Sequence, residues 1–270
     1  MPVTETATGI ARVAAAFARA KNAGRGALIP YVCAGDPDRA TSAAILAALG
    51  PAGSDIIELG IPYGDPLADG PTIAAAAQRA IDGNMTFEDA LALAAQAQRE
   101  GAPPILMFTY YNPVLQYGLE RFAADLAEYG ICGAIVPDVP LEESDGLRAA
   151  FARRRLALPL LVAPTTPAAR AQAIAAASSG FIYIVSRLGV TSAAKEPDFE
   201  WIAARVEALR KATATPLAIG FGISRAAHVR RAAEIADGAI VGSALIDSYA
   251  GTSGSEAVAR VRAFLAGLQT

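Results

Sequence analysis

Cysteine, histidine and lysine are all scarce in this chain of 270 residues, which holds two, one and three of them. Each shortage excludes a kind of chemistry. Cys33 and Cys132 sit in separate apolar, strand-like runs, a pattern that predicts buried thiols of a reducing compartment and not a disulfide framework. The one histidine, His228, falls in a helical segment after Gly222, and no cluster of His, Cys and carboxylates has metal-ligand spacing, so no metal is expected. Lys21, Lys195 and Lys211 all lie outside the strand-like runs, which argues against a Schiff-base lysine. No Gly-x-Gly-x-x-Gly opens a strand-to-helix unit, so no dinucleotide is expected. Long hydrophobic runs are missing too: none approaches the roughly 18 residues that a membrane span needs. Basic charge is short as well. A net charge of -3, a pI near 5.3 and no aromatic–basic stripe exclude a nucleic-acid binder.

What is abundant is apolar surface, at 53% of residues against 18% charged. It is divided into eight short runs: Ala27–Cys33, Asp55–Leu59, Pro104–Thr109, Gly133–Pro137, Leu158–Ala163, Phe181–Ser186, Leu217–Gly220 and Gly238–Val241. Helix-length segments with apolar residues at helical spacing separate them, at 41–49, 87–100, 120–129, 144–154, 168–177, 201–211 and 226–233. Strands without a polar face, alternating with helices, imply a parallel sheet covered by helices. Eight such units predict a (β/α)8 TIM barrel, and the absence of any linker or low-complexity break predicts one domain over 1–270. A doubly wound open sheet is the rival architecture. Before the first strand, Ile10, Val13, Ala14 and Phe17 form one helical stripe with Arg12 and Arg19 off it, which predicts an extra N-terminal helix docked on the barrel. Glu5 and the direct entry into the fold argue against a transit peptide, so a cytoplasmic protein is expected.

The most informative stretch is Asp55-Ile-Ile-Glu58-Leu-Gly-Ile-Pro-Tyr-Gly-Asp65-Pro-Leu-Ala-Asp69-Gly-Pro-Thr72. Glu58 stands near the end of the second strand, while Asp65 and Asp69 sit in a connection stiffened by Pro66, Gly70 and Pro71. Catalytic groups of such barrels lie at the C-terminal strand ends and in the loops that follow, so these acids point to acid–base chemistry. The bland alternative has Asp65 and Asp69 capping turns and Glu58 paired inside a core.

A phosphate site is legible without a basic cluster. The seventh strand ends in Gly220-Phe-Gly222-Ile-Ser224, and the eighth runs into Gly242-Ser243. Glycines let backbone amides approach an anion at the two loops where barrels of this kind often hold a phosphate. The segment after the sixth strand, Ser186-Arg187-Leu188-Gly189-Val190-Thr191-Ser192-Ala193, reads as a mobile lid, with Thr191 able to meet a carboxylate or the substrate on closure. Tyr31 and Tyr183, inside strands, read from pattern alone as core residues.

Taken in order, Ala34-Gly35-Asp36-Pro37, Glu58-Leu-Gly-Ile-Pro, Asp65-Pro-Leu-Ala-Asp69-Gly-Pro-Thr72, Tyr110-Tyr111-Asn112-Pro113, Pro137-Asp138-Val139-Pro140, Ser186-Arg187-Leu188-Gly189-Val190-Thr191 and Gly220-Phe221-Gly222-Ile223 resemble the tryptophan synthase alpha subunit family over nearly the whole chain. The resemblance implies retro-aldol cleavage of indole-3-glycerol phosphate to indole and glyceraldehyde 3-phosphate. It implies Glu58 as the general acid–base and Asp69 as the acceptor for the indole N–H. Tyr31, Phe108, Tyr183 and Thr191 would be substrate contacts or lid partners, and the amides of Gly222, Gly242 and Ser243 would hold the phosphate. Asp65 would communicate with the partner. No cofactor is implied in this chain; PLP is expected in a beta subunit, within an allosterically coupled alpha-beta-beta-alpha heterotetramer.

Two positions depart from the family pattern. Gly64 stands where serine is usual, and Ser192 follows Thr191 where glycine is usual, which bears on lid closure and phosphate affinity. Other readings remain open at this point. They are a free-standing indole-3-glycerol-phosphate lyase, a catalytically silent regulatory module that docks to a beta subunit, and a phosphosugar isomerase of another phosphate-binding barrel family.

Overall fold

A computed structural model of the chain describes residues 7–186 and 197–269. The expected lid with Arg187, Thr191 and Ser192 lies outside the described residues, as do Lys195 and the opening segment with Glu5. The chain runs α1 (Gly9–Asn22), β1 (Ala27–Cys33), α2 (Arg39–Leu49), β2 (Ile57–Gly60), α3 (Pro71–Asp82), α4 (Phe87–Arg99), β3 (Ile105–Phe108), α5 (Tyr111–Tyr117), α6 (Leu119–Glu128) and β4 (Gly133–Ile135). It continues with α7 (Asp145–Arg153), β5 (Leu160–Val162), α8 (Ala168–Ala177), β6 (Ile182–Val185), α9 (Phe199–Arg210), β7 (Leu217–Gly220), α10 (Ala226–Ile235), β8 (Gly238–Val241), α11 (Ser243–Tyr249) and α12 (Gly254–Leu268).

The eight strands are parallel, in the order β4-β3-β2-β1-β8-β7-β6-β5. The remaining seam, between β4 and the residues before β5, is closed by a bridge from Gly133 to Ala157. There Ala157 N–H donates to Cys132 O at 2.8 Å and Ala134 N–H to Ala157 O at 3.0 Å. A Cβ at Gly133 would come within 1.9 Å of Ala157 O, so only glycine permits this approach. The barrel expected from the alternating pattern is the observed architecture.

β3, β4 and β6 are each two residues shorter than expected, and β2 runs one residue further, to Gly60. Two late strand starts have a polar cause. β2 begins at Ile57 and not Asp55, because Asp55 turns its carboxylate to Leu28 N–H at 2.9 Å and to Arg25. β5 begins at Leu160 because Pro159 has no N–H to give; Ser179 Oγ and Ser178 Oγ accept from the Leu158 and Leu160 amides instead.

Helix α1 starts where Thr8 caps it, and buries Val13, Ala16, Phe17 and Ala20. Ala14, expected on the buried stripe, is exposed: four residues before α1's Ala18, it lies on the helix's outer side. Phe17 meets Phe181 at 5.7 Å and Ile10 N–H donates to Arg155 O at 3.1 Å, so α1 covers the N-terminal ends of the strands. At about 1.5–3 kcal/mol for each large side chain withdrawn from water, Val13 and Phe17 make this cap a substantial part of the core. The opposite, C-terminal end of the barrel is left to the loops. Helices α5, α11 and α12 were not expected from the pattern.

Candidate active site

Strand alternation places Glu58. In β2, Ile57 and Leu59 face the surrounding helices, so Glu58 and Gly60 face the barrel interior. The register sets Glu58 between Tyr31 on β1 and Leu106 on β3, above the apolar filling of the barrel. Only 1% of Glu58 is exposed. Its Oε1 has no hydrogen-bond partner among the described residues. Desolvation without a compensating cation raises its pKa well above the ordinary carboxylic value. Burial therefore favours the protonated form of Glu58, the form that can donate a proton.

The loop after β2 brings Asp69 to the same cavity. Ile61 N–H donates to Phe108 O at 2.8 Å, and farther on Ala68 N–H donates to the Tyr110 hydroxyl at 3.1 Å. Tyr63 packs on Tyr110 at 5.5 Å, and its hydroxyl accepts from Asn112 Nδ2 at 3.2 Å. The loop is thus fastened to the end of β3 by its own tyrosine and by Tyr110. Burial pushes the Asp69 carboxyl up to about 6, and a hydrogen bond with Tyr110 opposes part of that rise. Asp69 Oδ1, like Glu58 Oε1, is buried without a partner among the described residues. Asp69 Oδ1 is thus an acceptor without a partner among the described residues. Burial raises the proton affinity of both acids in the one cavity, and at Asp69 alone the Tyr110 hydroxyl opposes the rise.

Asp65 goes elsewhere. It is exposed and lies outside the cavity lining, so the acid stretch splits into a pair on the cavity, Glu58 buried and Asp69 half-buried, and a surface carboxylate. At Gly64 an added Cβ would meet nothing within 4 Å, so the serine usual in the family would fit here.

One cavity at the C-terminal end of the barrel is lined by Tyr31, Glu58, Asp69, Phe108, Tyr183, Gly222, Gly242 and Ser243, together with Ile73, Phe221, Ile223 and Ile240. Every site residue expected from sequence therefore converges on it, apart from Asp65 and from Thr191, which lies outside the described residues. Tyr31 meets Phe108 edge-on at 5.5 Å, and Tyr183 meets Phe221 at 6.0 Å. Tyr31 and Tyr183 are core residues and cavity walls at once: a Cβ on Gly60 would lie 2.2 Å from the Tyr31 hydroxyl, and one on Gly220 would lie 2.3 Å from that of Tyr183. Glycines at the ends of β2 and β7 are what let both rings lean across the barrel mouth. Burial holds both phenols neutral by raising their pKa well above the ordinary value.

Opposite the acids, Phe221 and Gly222 take positive φ of 70° and 83°, and Ser186 fixes the turn by donating its hydroxyl to Phe221 O. Non-glycine residues with positive φ are uncommon, and holding Phe221 there costs roughly 1–3 kcal/mol. Its ring lines the cavity. Gly242 and Ser243 lead into α11, where the first amides of a helix have no carbonyl of their own to meet.

Tyr110, Phe221 and the three isoleucines were not assigned roles from sequence. For Tyr110 the available signal was a tyrosine directly after a strand next to the acid loop; for Phe221 it was the position between two glycines. His228 is buried beside Ser224, with Nδ1 3.4 Å from the Ser224 amide, and packs on Phe199 at 5.9 Å, outside the cavity lining. Both cysteines are free and buried. Among the described residues, no group of three or more His, Cys, Asp or Glu side chains is placed to hold a metal.

Residues 17–269 match the protein family described as tryptophan synthase alpha chain. A Chloroflexus aurantiacus protein of that name is 49% identical over 239 residues, covering 88% of this chain and 90% of the relative. The Arabidopsis thaliana protein of that name is 45% identical over 247 residues, with 91% and 90% covered. Among solved structures, Mycobacterium tuberculosis tryptophan synthase superposes with a TM-score of 0.87 at 37% identity, covering 95% of this chain and 96% of that one. The tryptophan synthase complex from Pyrococcus furiosus gives 0.82 at 31% identity, with 90% and 98% covered.

Proposed function

We propose roles for the cavity residues from the premise that this chain belongs to the tryptophan synthase alpha chain family. The reaction is the lyase cleavage of indole-3-glycerol phosphate to indole and glyceraldehyde 3-phosphate. One observation carries the assignment: two carboxyls, Glu58 and Asp69, each with a buried oxygen that has no partner among the described residues, line one narrow cavity with aromatic and aliphatic walls.

In this reading Glu58 delivers its proton to C3 of the indole ring, and positive charge develops on the ring nitrogen. Asp69, ionised, accepts the indole N–H and stabilises that charge. The bond between C3 and the side-chain carbon then breaks, its electrons restore the aromatic ring, and the adjacent hydroxyl becomes the aldehyde as its proton passes to the Glu58 carboxylate. Glu58 ends protonated, as it began, so the cycle balances on this chain's own groups. Tyr110 keeps Asp69 aimed, Tyr31, Phe108 and Tyr183 enclose the ring, and the amides of Gly222, Gly242 and Ser243 take the phosphate. Thr191 and Asp65 are assigned to closure over Asp69 and to communication with a partner.

The partner in this proposal is a beta subunit carrying PLP, in an alpha-beta-beta-alpha heterotetramer in the cytoplasm, with 1–270 serving as one barrel domain. Support comes from the barrel mouth, where Leu67, on the loop after β2, is 70% exposed and Leu115, on α5, is 49% exposed. No described helix is long and apolar enough to cross a membrane. Indole release from indole-3-glycerol phosphate, measured for the chain alone and with a beta chain, tests the proposal. Slow release that the beta chain accelerates is expected. Equal rates in both conditions would favour a free-standing lyase, and no release in either would leave only a silent docking module.

A further inference from the structure

Two hydrogen-bonded links join α3 to α11, and neither belongs to the cavity. Near the start of α3, Thr72 Oγ1 donates to Asp247 Oδ1 at 3.0 Å. Farther along α3, Arg79 Nε donates to Asp36 Oδ1 at 2.7 Å, and the Tyr249 hydroxyl at the end of α11 donates to Asp36 Oδ2 at 2.8 Å. Asp36 and Tyr249 are each 1% exposed, so both oxygens of a buried carboxylate are spent on this junction. Thr72 and Arg79 are about two turns apart and share one face of α3. A single link would let the helices pivot; two links at that separation fix both slide and rotation.

The consequence follows from what each helix begins with. α3 opens at Pro71, directly after Asp69-Gly70, while α11 opens at Ser243, directly after Gly242. Leu245 and Ile246 bury α11 in depth, but apolar contacts do not specify its register along α3. A helix of seven residues has little stability of its own, so its placement depends on such ties.

We propose that Thr72, Asp247, Asp36 and Tyr249 are positioning residues that set the distance between the Asp69 carboxylate and the Gly242–Ser243 wall, so that a substrate held at both ends is met at its own length. The proposal rests on the reading that the indole end is held at Asp69 and the phosphate end at Gly222, Gly242 and Ser243. Loosening the clamp spreads the free protein over several spacings, of which one fits, and the lost population appears in KM and not in kcat.

The test measures kcat and KM for indole-3-glycerol phosphate, with the beta chain present, in Thr72→Val, Asp247→Ala, Asp247→Asn and the Thr72→Val/Asp247→Ala double variant. Glycerol 3-phosphate serves as a competitive probe of the phosphate end alone. Each of Thr72→Val and Asp247→Ala is expected to raise KM about threefold to tenfold, as the loss of one hydrogen bond would, with kcat within about twofold. The double variant should be no worse than either single one, because both remove the same bond. Asp247→Asn, which keeps the accepting oxygen, should restore KM. Inhibition by glycerol 3-phosphate should stay within about twofold, since that probe touches one anchor. An unchanged KM in both single variants overturns the proposal, and so does a loss of glycerol 3-phosphate affinity in step with KM, which would mean that α11 is merely disturbed. Tyr249→Phe repeats the test at the buried link, with the same outcomes. Failure of the functional reading is separate: it would show as no cleavage by the unaltered chain.

Discussion

Asp69 carries a stability cost that a single substitution removes. Its carboxyl lies on the cavity wall with one oxygen unpartnered, and burial raises its pKa from 3.8 to about 6. In the unfolded chain it ionises near 3.8; in the folded chain it resists ionisation until about 6. A raised carboxyl lends stability that is complete below the unfolded value and lost as pH rises through the folded one. At about 1.4 kcal/mol for each tenfold difference in proton affinity, the loss above pH 7 is up to about 3 kcal/mol. Loop relaxation and residual solvent lower this to roughly 1–2 kcal/mol. Asp69→Asn keeps the shape and an oxygen for Tyr110 while abolishing the charge. The assay is urea unfolding of both proteins at pH 4 and pH 8. Asp69→Asn is expected to exceed the original chain by only a few tenths of a kcal/mol at pH 4, where the unfolded carboxyl has begun to ionise, and by roughly 1–2 kcal/mol at pH 8. An equal gap at the two pH values, or a less stable variant at pH 8, would refute the reasoning.

In the proposed mechanism the same two carboxyls set the pH dependence of catalysis. Asp69 must be ionised, so kcat/KM should fall as pH drops below about 6; Glu58 must be protonated, so it should fall again as pH rises through the raised Glu58 value, and a profile flat on the acid side would contradict the assignment. Gly60→Ala would force the Tyr31 ring from its place, since the new Cβ lies 2.2 Å from its hydroxyl; a destabilisation of roughly 1–3 kcal/mol with a raised substrate KM is expected from denaturation and kinetics. Leu115→Ser should weaken binding of a beta chain by about tenfold in titration calorimetry while leaving the slow release by the free chain unchanged, because Leu115 is exposed at the barrel mouth and touches no cavity residue's chemistry.

Legibility in the sequence followed how local each cause is. β1, β7 and β8 were readable to the residue because each is an apolar run flanked by turn or breaker residues. β2 and β5 start later than the pattern implies, because Asp55, Ser178 and Ser179 reach across the chain to replace ladder bonds, and nothing local announces that. α5 and α11 are too short to show a period, and they stand only because tertiary contacts hold them. Glu58 and Asp69 were legible as acids where a barrel keeps its chemistry. The apolar strand end already points to a raised Glu58 pKa; the rise at Asp69 was not legible, because it depends on how deeply the loop is buried and on the Tyr110 hydroxyl reaching Asp69 from the next strand end. Tyr31 and Tyr183 looked like core from the pattern. They are core, but Gly60 and Gly220, on neighbouring strands, let their hydroxyls overhang the cavity.

Glu58 is the residue on which the proposed cleavage turns, since it both gives the proton that opens the carbon–carbon bond and receives the one that the hydroxyl releases. The direct test is indole release from indole-3-glycerol phosphate by Glu58→Gln, with the beta chain present and with folding verified by unchanged far-UV circular dichroism. Glutamine fills the same space and cannot transfer a proton, so the rate is expected to fall by about 10²–10⁴-fold with KM little changed. A rate within a few-fold of the original chain would contradict the account.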